Sequence, residues 1–308
     1  MHLRGRDFLD LADFTSEEIQ EFLHTASLLK MMKRSGISHT PLTGKTLGMI
    51  FEKPSTRTRV SFEVATYELG GHALYLGASD LQLKRGETIG DTAQTLSRYL
   101  SGIMGRVYSH QTLMELAQYA HIPVINGLSD IHHPCQALGD LLTIKEKKGG
   151  FQGVKLTYIG DGNNVCNSLL IGGAKVGLNV SVATPPGYEP PTRIVEQATL
   201  ISKTTGSTME ITNDLNQAIK KADAVYTDVW ASMGQESETE ARKKIFLTYQ
   251  VNIKLLSFAA PEVIVLHCLP AHRGEEITDE VMDGIHSAVF DQAENRLHAQ
   301  KAVLALLL

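Results

Sequence analysis

At 308 residues the chain exceeds what one hydrophobic core usually fills, so two domains are expected. Hydrophobic residues at 43 % and charged residues at 20 % fit a soluble globular protein. A net charge of -5, without a basic stripe interleaved with aromatics, argues against non-specific nucleic-acid binding, and no nucleic-acid partner is expected.

Near the N-terminus Arg4, Arg6, Asp7 and Asp10 interrupt the apolar residues, so no signal-peptide pattern is present. Thr15-Ser16-Glu17-Glu18 then opens a helix as a capping sequence, with Ile19, Phe22, Leu23 and Ala26 on its apolar face. The run 45–51 is an apolar strand, and Val60, Val64 and Tyr67 recur at helical spacing up to the stop signal Gly70-Gly71. Between them Pro54 is expected in the first helical turn, giving strand, tight turn, helix. Such a helix start exposes backbone N–H groups at the positive end of a dipole. Ser55, Thr56 and Thr58 add hydroxyls, and Arg57 and Arg59 add guanidinium groups. The combination is an anion site, most naturally for phosphate, although an ordinary capped helix with solvated arginines uses the same residue types. Arg57 and Arg59 stand two apart and cannot face one ligand from a helix, so Arg57 is assigned to the anion and Arg59 to a carboxylate.

Strands at 72–76, 103–108 and 123–126 then alternate with helices at 88–100 and 111–120. This alternation means a parallel sheet flanked by helices, with its ligand crevice at the carboxyl ends of the strands. Arg106 is a charge inside an apolar strand, which suits a sheet edge or a second cation beside the anion. In Asp130-Ile131-His132-His133-Pro134-Cys135-Gln136, Pro134 marks another helix start and places His133 at the N-cap, with Gln136 one turn in. There the dipole disfavours the imidazolium, so His133 either caps the helix or, as a neutral donor, meets an oxygen that gains negative charge. Cys135 nearby lacks zinc-like ligand spacing.

Cations and two glycines at 145–150 suggest a domain boundary, with domains at 1–148 and 149–290 and a last helix, 291–308, returning to the first. Alternation restarts with strand 154–159, the turn Gly160-Asp161-Gly162-Asn163-Asn164, a helix to Val176 and strand 179–184. A dinucleotide site would need a third glycine and an acidic residue after the next strand, and both are missing. Asn164 can instead offer neutral donors to a small zwitterion. Strand 224–227 delivers Asp228 at its carboxyl end, where it either caps a turn or pairs with an ammonium, while Ser232 and the backbone near Met233 can hold a carboxylate. The loop has no cation before Arg242 but carries Glu236, Glu238 and Glu240, which favours an amino acid with an extra amine. The run 236–244 otherwise reads as a solvated helix face. Strand 263–266 ends in His267-Cys268-Leu269-Pro270, where the thiol is either packing or part of a site. Three cysteines without CxxC spacing, Cys135, Cys166 and Cys268, point to reduced thiols in a cytoplasmic protein. The apolar tail 302–308 is too short to span a membrane.

The Ser55-to-Arg59 motif and His133-Pro134-Cys135-Gln136 resemble the carbamoyl-phosphate signatures of the aspartate/ornithine carbamoyltransferase family. Asp228 to Gly234 and His267-Cys268-Leu269-Pro270 resemble its ornithine branch. The matches run in order along essentially the whole chain. The chain departs at Asn167, where members often carry histidine.

The resemblance implies two doubly wound α/β domains of similar size with a cleft between them, and transfer of a carbamoyl group to the δ-amine of L-ornithine. Ser55, Thr56, Arg57, Thr58, Gln82, Arg106, His133 and Gln136 would bind carbamoyl phosphate, with Gln82 reaching in from a neighbouring subunit. Asn164, Asp228, Ser232 and Met233 would bind ornithine, and Cys268, Leu269 and Arg296 would complete the reacting centre. No metal or cofactor is implied, and the assembly would be a homotrimer or a set of trimers. An NAD-dependent oxidoreductase and a non-catalytic amino-acid-binding protein are the alternatives.

Overall fold

The computed structural model describes residues 3–79, 81–82, 86–231 and 238–308. It divides into two compact units, Met1–Gly139 with Asn295–Leu308, and Asp140–Glu294. The first boundary falls inside the helix Pro134–Lys148 and the second inside the helix Val289–Leu307.

The first unit is built on a four-stranded parallel sheet of β1 (Thr46–Phe51), β2 (His72–Gly77), β3 (Gly102–Arg106) and β4 (Val124–Leu128), in the order β2-β1-β3-β4. Each crossover carries a helix, Thr56–Glu68, Ile89–Leu96 or His110–Tyr119, as parallel neighbours require. Leu47, Met49 and Ile50 of β1 and Ile103 and Met104 of β3 are fully or almost fully buried, the continuous apolar pattern of inner parallel strands. The helix Ser16–Arg34 opens with a complete capping box, Thr15 Oγ1 accepting from Glu18 N at 3.2 Å and Glu18 Oε2 from Thr15 N at 2.9 Å. Its Phe22 closes an aromatic cluster with Phe8 and Phe14, with ring centroids 5.2 to 5.3 Å apart. Ala299, Ala302, Val303, Leu304 and Leu307 of the last helix are buried, so the end of the chain helps to build this core.

The second unit holds a five-stranded parallel sheet of β5 (Lys155–Ile159), β6 (Asn179–Ala183), β7 (Met209–Thr212), β8 (Ala224–Thr227) and β9 (Ile264–His267), ordered β7-β6-β5-β8-β9. In each sheet the chain moves to one side of its first strand and then returns on the other, so strand order reverses between β1 and β3 and between β5 and β8. Ligand sites of open α/β sheets form at the carboxyl ends of such strand pairs. Ser55 and Arg106 lie there in one unit, and the Gly160 turn and Asp228 in the other.

Several details differ from the sequence reading. Pro54 precedes the helix rather than entering it, because Ser55 intervenes as an extended N-cap. Helix 88–100 contracts to Ile89–Leu96, with Thr88 as its cap. Arg106 is the last residue of its strand rather than an interior one. The helix Thr192–Thr205 and strand β7 have no counterpart in that reading, since all four β7 residues are half-buried and show no clean alternation.

Candidate active site

In the first unit two of the arginines singled out from sequence, Arg106 and Arg296, converge on one hydroxyl. Ser55 caps the helix Thr56–Glu68, its Oγ accepting from Thr58 N at 3.2 Å, and this turns the buried Thr58 side chain inward. Thr58 Oγ1 accepts from Arg106 Nη1 at 3.4 Å and from Arg296 Nη2 at 3.0 Å. Arg106 is brought there by a register shift between Gly105 and Arg106 that skips Gly127 of β4, the kind of irregularity that re-aims a side chain at a strand end. Arg296 is seated by a close backbone approach, since a Cβ on Gly139 would stand 3.3 Å from the N and Cα of Arg296. Both guanidinium groups are buried.

His133 precedes Pro134, and its carbonyl accepts the Ala137 N–H at 3.1 Å. Burial, and then the charges of Arg296, Arg106 and Arg57, hold its imidazole well below the usual pKa, so it is neutral. Buried Gln136 lies one helical turn after His133. Arg59 pairs with Glu63 at 3.0 Å and lies 4.0 Å from the Tyr75 ring centroid, the carboxylate partner expected for it from helical geometry. Burial pushes the Cys135 thiol up to about 12, leaving a packing residue. Gln82 is exposed and, among the described residues, is not joined to the cluster.

The second unit gathers a different set. Asp228, at the end of β8, accepts through Oδ1 from Val229 N at 2.8 Å and from the Cys268 thiol at 2.9 Å, and through Oδ2 from Asn163 Nδ2 at 2.8 Å. Burial first, then the Asp228 charge, raises the Cys268 pKa well above its usual value, so the sulfur carries its proton. Leu269 follows at φ +59°, its N–H donating to His267 Nδ1 at 2.8 Å. His267 Nε2 then donates to the buried Glu276 Oε1 at 3.0 Å. Asn164 is the first residue of the helix Asn164–Val176, beside the N-cap Asn163. Ser232 and Met233 lie outside the described residues.

Sequence reasoning missed four residues here. Asn163 holds Asp228, Glu276 holds His267, and Asp161 pairs with Arg242 at 3.0 Å. Arg242 was expected on a solvated face, but it is buried, with Nη1 also 3.0 Å from the Trp230 carbonyl oxygen and its guanidinium 5.0 Å from the Tyr188 ring centroid. Its burial corrects that expectation. A signal was available: Arg242 is the first cation after a run of three glutamates.

Family models for the aspartate/ornithine carbamoyltransferases match both parts of the chain, the carbamoyl-P binding domain over residues 6–146 and the Asp/Orn binding domain over 152–307. The chain belongs to this family. An ornithine carbamoyltransferase of Thermococcus kodakarensis is 60 % identical over 306 residues, covering 99 % of this chain and 97 % of the relative. One of Pyrococcus furiosus, named anabolic, is also 60 % identical, with the same coverage of both chains. The solved structure of ornithine carbamoyltransferase from Pyrococcus furiosus aligns with a TM-score of 0.97 at 59 % identity, covering 100 % of this chain and 98 % of that one. The anabolic enzyme of Campylobacter jejuni aligns with a TM-score of 0.91 at 44 % identity, covering 97 % of each.

For a family member the metal question turns on residue chemistry. The ligand atoms of Asp228, His267 and Cys268 lie within 4.8 Å of one another, as do those of His272, Glu275 and Glu276. In the first group both imidazole nitrogens are engaged, by Leu269 N and Glu276, and the thiol donates to Asp228. Metal binding there would have to break all three contacts. Among the described residues no helix is long and apolar enough to cross a membrane.

Proposed function

We propose that the protein transfers the carbamoyl group of carbamoyl phosphate to the δ-amine of L-ornithine, giving L-citrulline and phosphate, as the names of its relatives suggest. The observation that carries this reading is the meeting of Arg106 and Arg296 on Thr58 Oγ1, at a helix N-terminus and beside a neutral His133. Arg57, the Ser55, Thr56 and Thr58 hydroxyls and the helix N–H groups hold the phosphate, with Gln82 supplied by a neighbouring subunit of a trimer. Arg106 and Arg296 draw charge towards the carbonyl oxygen, and a neutral imidazole can donate to that oxygen as it becomes negative. Gln136 orients the carbamoyl amide.

The acceptor is a free amine, whose pKa near ~10 in water means that the enzyme must select or create its deprotonated form. Asp228 and Cys268 orient it, while Asn164, Ser232, Met233 and Leu269 hold the rest of the amino acid. Attack on the carbamoyl carbon forms the C–N bond, the C–O bond to phosphate breaks, and the amine gives up a proton. Phosphate is already a good leaving group, so positioning and charge stabilisation suffice without a cofactor. Because the Cys268 thiol is held protonated, direct transfer is favoured over a covalent thiocarbamate. The cytoplasm, where carbamoyl phosphate and reduced thiols coexist, is the compartment that this chemistry fits.

The test is to supply carbamoyl phosphate with ornithine, aspartate, putrescine or acetylornithine and to measure both phosphate and carbamoylated product. Stoichiometric citrulline and phosphate with ornithine alone is the expected result. Preference for another acceptor, or no phosphate release, would overturn the proposal.

A further inference from the structure

One amide in the second unit has two functions that can be separated. Asn163 caps the helix Asn164–Val176, its Oδ1 accepting from Val165 N at 3.0 Å and from Cys166 N at 3.1 Å. The same oxygen lies 3.2 Å from the hydroxyl of the buried Tyr158. Two backbone donors identify this atom as the oxygen, so the amide orientation is settled by its own partners and Nδ2 must face Asp228, 2.8 Å away. A carboxylate offers about four acceptor directions. Among the described residues Asn163, Val229 N and the Cys268 thiol take three of those on Asp228.

We propose that Asn163 is a positioning residue for the acceptor substrate: its amide turns the Asp228 carboxylate so that the direction left open is presented to the substrate amine. The inference rests on the assignment of Asp228 to the acceptor. Nothing in the residue type demands this role, since Asp or Ser would cap the helix equally well. What distinguishes asparagine is that it accepts on the helix side and donates on the carboxylate side in one planar group. Among the described residues the titratable and charged groups around it are Tyr158 from β5, Cys166 on its own helix, Asp161 with its partner Arg242 and that arginine's second partner Glu238, Asp228 after β8 and Cys268 after β9.

Two substitutions keep the cap and remove the donor. Asn163→Ser leaves Asp228 without its amide partner, and Asn163→Asp sets a like charge against it. The Ser variant should melt close to the parent, and the Asp variant should melt lower at pH ~8 because of the like charge. The KM for ornithine should rise about tenfold for Ser and about a hundredfold for Asp at pH ~8, with the KM for carbamoyl phosphate unchanged. The deficit of the Asp variant, relative to the parent at each pH, should shrink towards pH ~6, where a proton shared by the two carboxyl groups restores the missing donor; the Ser variant should show no such recovery.

Ornithine KM values within about twofold of the parent in both variants would overturn the inference. So would parallel rises for both substrates with a lowered melting temperature, which would reveal a cap and nothing more. If the Asp variant does not fold, the Ser variant decides alone. A parent protein that makes no citrulline overturns the functional assignment itself, and this inference with it.

Discussion

Thr58 is the residue in the anion cluster on which two cations meet. Thr58→Val keeps its shape and removes the oxygen, taking an acceptor from both buried guanidinium groups. A loss of about 1–3 kcal/mol in stability is expected, seen as a melting point lower by several degrees, together with a KM for carbamoyl phosphate raised more than about tenfold. Asp161 offers a pH test. Burial raises its pKa from 3.8 to about 6 despite the Arg242 ion pair, so the folded chain keeps a proton that the unfolded chain releases. Its contribution to stability is therefore complete below pH ~4 and is lost as the pH rises through about 6. Denaturant melts across that window should show the slope, and Asp161→Asn should flatten it. The carboxylate partner expected for Arg59 from helical geometry was legible in the sequence, as its pairing with Glu63 shows. Asn163 was not, because a capping asparagine and its neighbour Asn164 are the same residue type one position apart, and only the folded chain shows which amide reaches Asp228.

The repeated element is a strand, a tight turn and a helix start, used after β1 and again after β5. The second turn depends on close backbone contact: a Cβ on Gly162 would stand 2.6 Å from the carbonyl carbon of Glu189. Backbone cannot give way as a side chain end does, so Gly162→Ala should displace the turn that carries Asp161 and Asn163. Ornithine turnover should fall more than about a hundredfold, while carbamoyl-phosphate binding, measured by calorimetry, should persist. Thr15→Ala, which removes only the capping box of the helix Ser16–Arg34, should instead cost about 1 kcal/mol and leave the kinetics unchanged. Elements with a clear signal were readable in advance: the capping box at Thr15, the apolar β1 and the proline that opens the helix Pro134–Lys148. Strand β7 was not readable, because an edge strand with every residue half-buried lacks the period-two pattern, and its pairing with β6 supplies the order that its own four residues do not.

On the scale of the whole molecule both sheets obey one rule, with the candidate clusters at the carboxyl ends of the strands where their order reverses. That rule, and the parallel alternation that invokes it, were legible from the succession of apolar runs and helix signals. What was not legible is where one unit ends and the next begins, since the helices Pro134–Lys148 and Val289–Leu307 continue through both boundaries without any break in periodicity. The proposed trimer has its own test. If Gln82 acts in a neighbour's site, Gln82→Ala and Arg57→Ala proteins, each weakly active, should regain part of the parent activity when mixed under conditions that exchange subunits. No recovery in hybrids verified by mass would exclude sharing.

The discontinuity of the first unit has a consequence for synthesis. Ser55, Arg57, Arg106 and His133 leave the ribosome early, but Arg296 follows only after the whole of residues 140–294. A nascent or prematurely terminated chain that stops before position 296 lacks one of the cluster's three guanidinium groups, however well its earlier strands have paired. The cell thus obtains the finished cradle only after the whole second unit has been made.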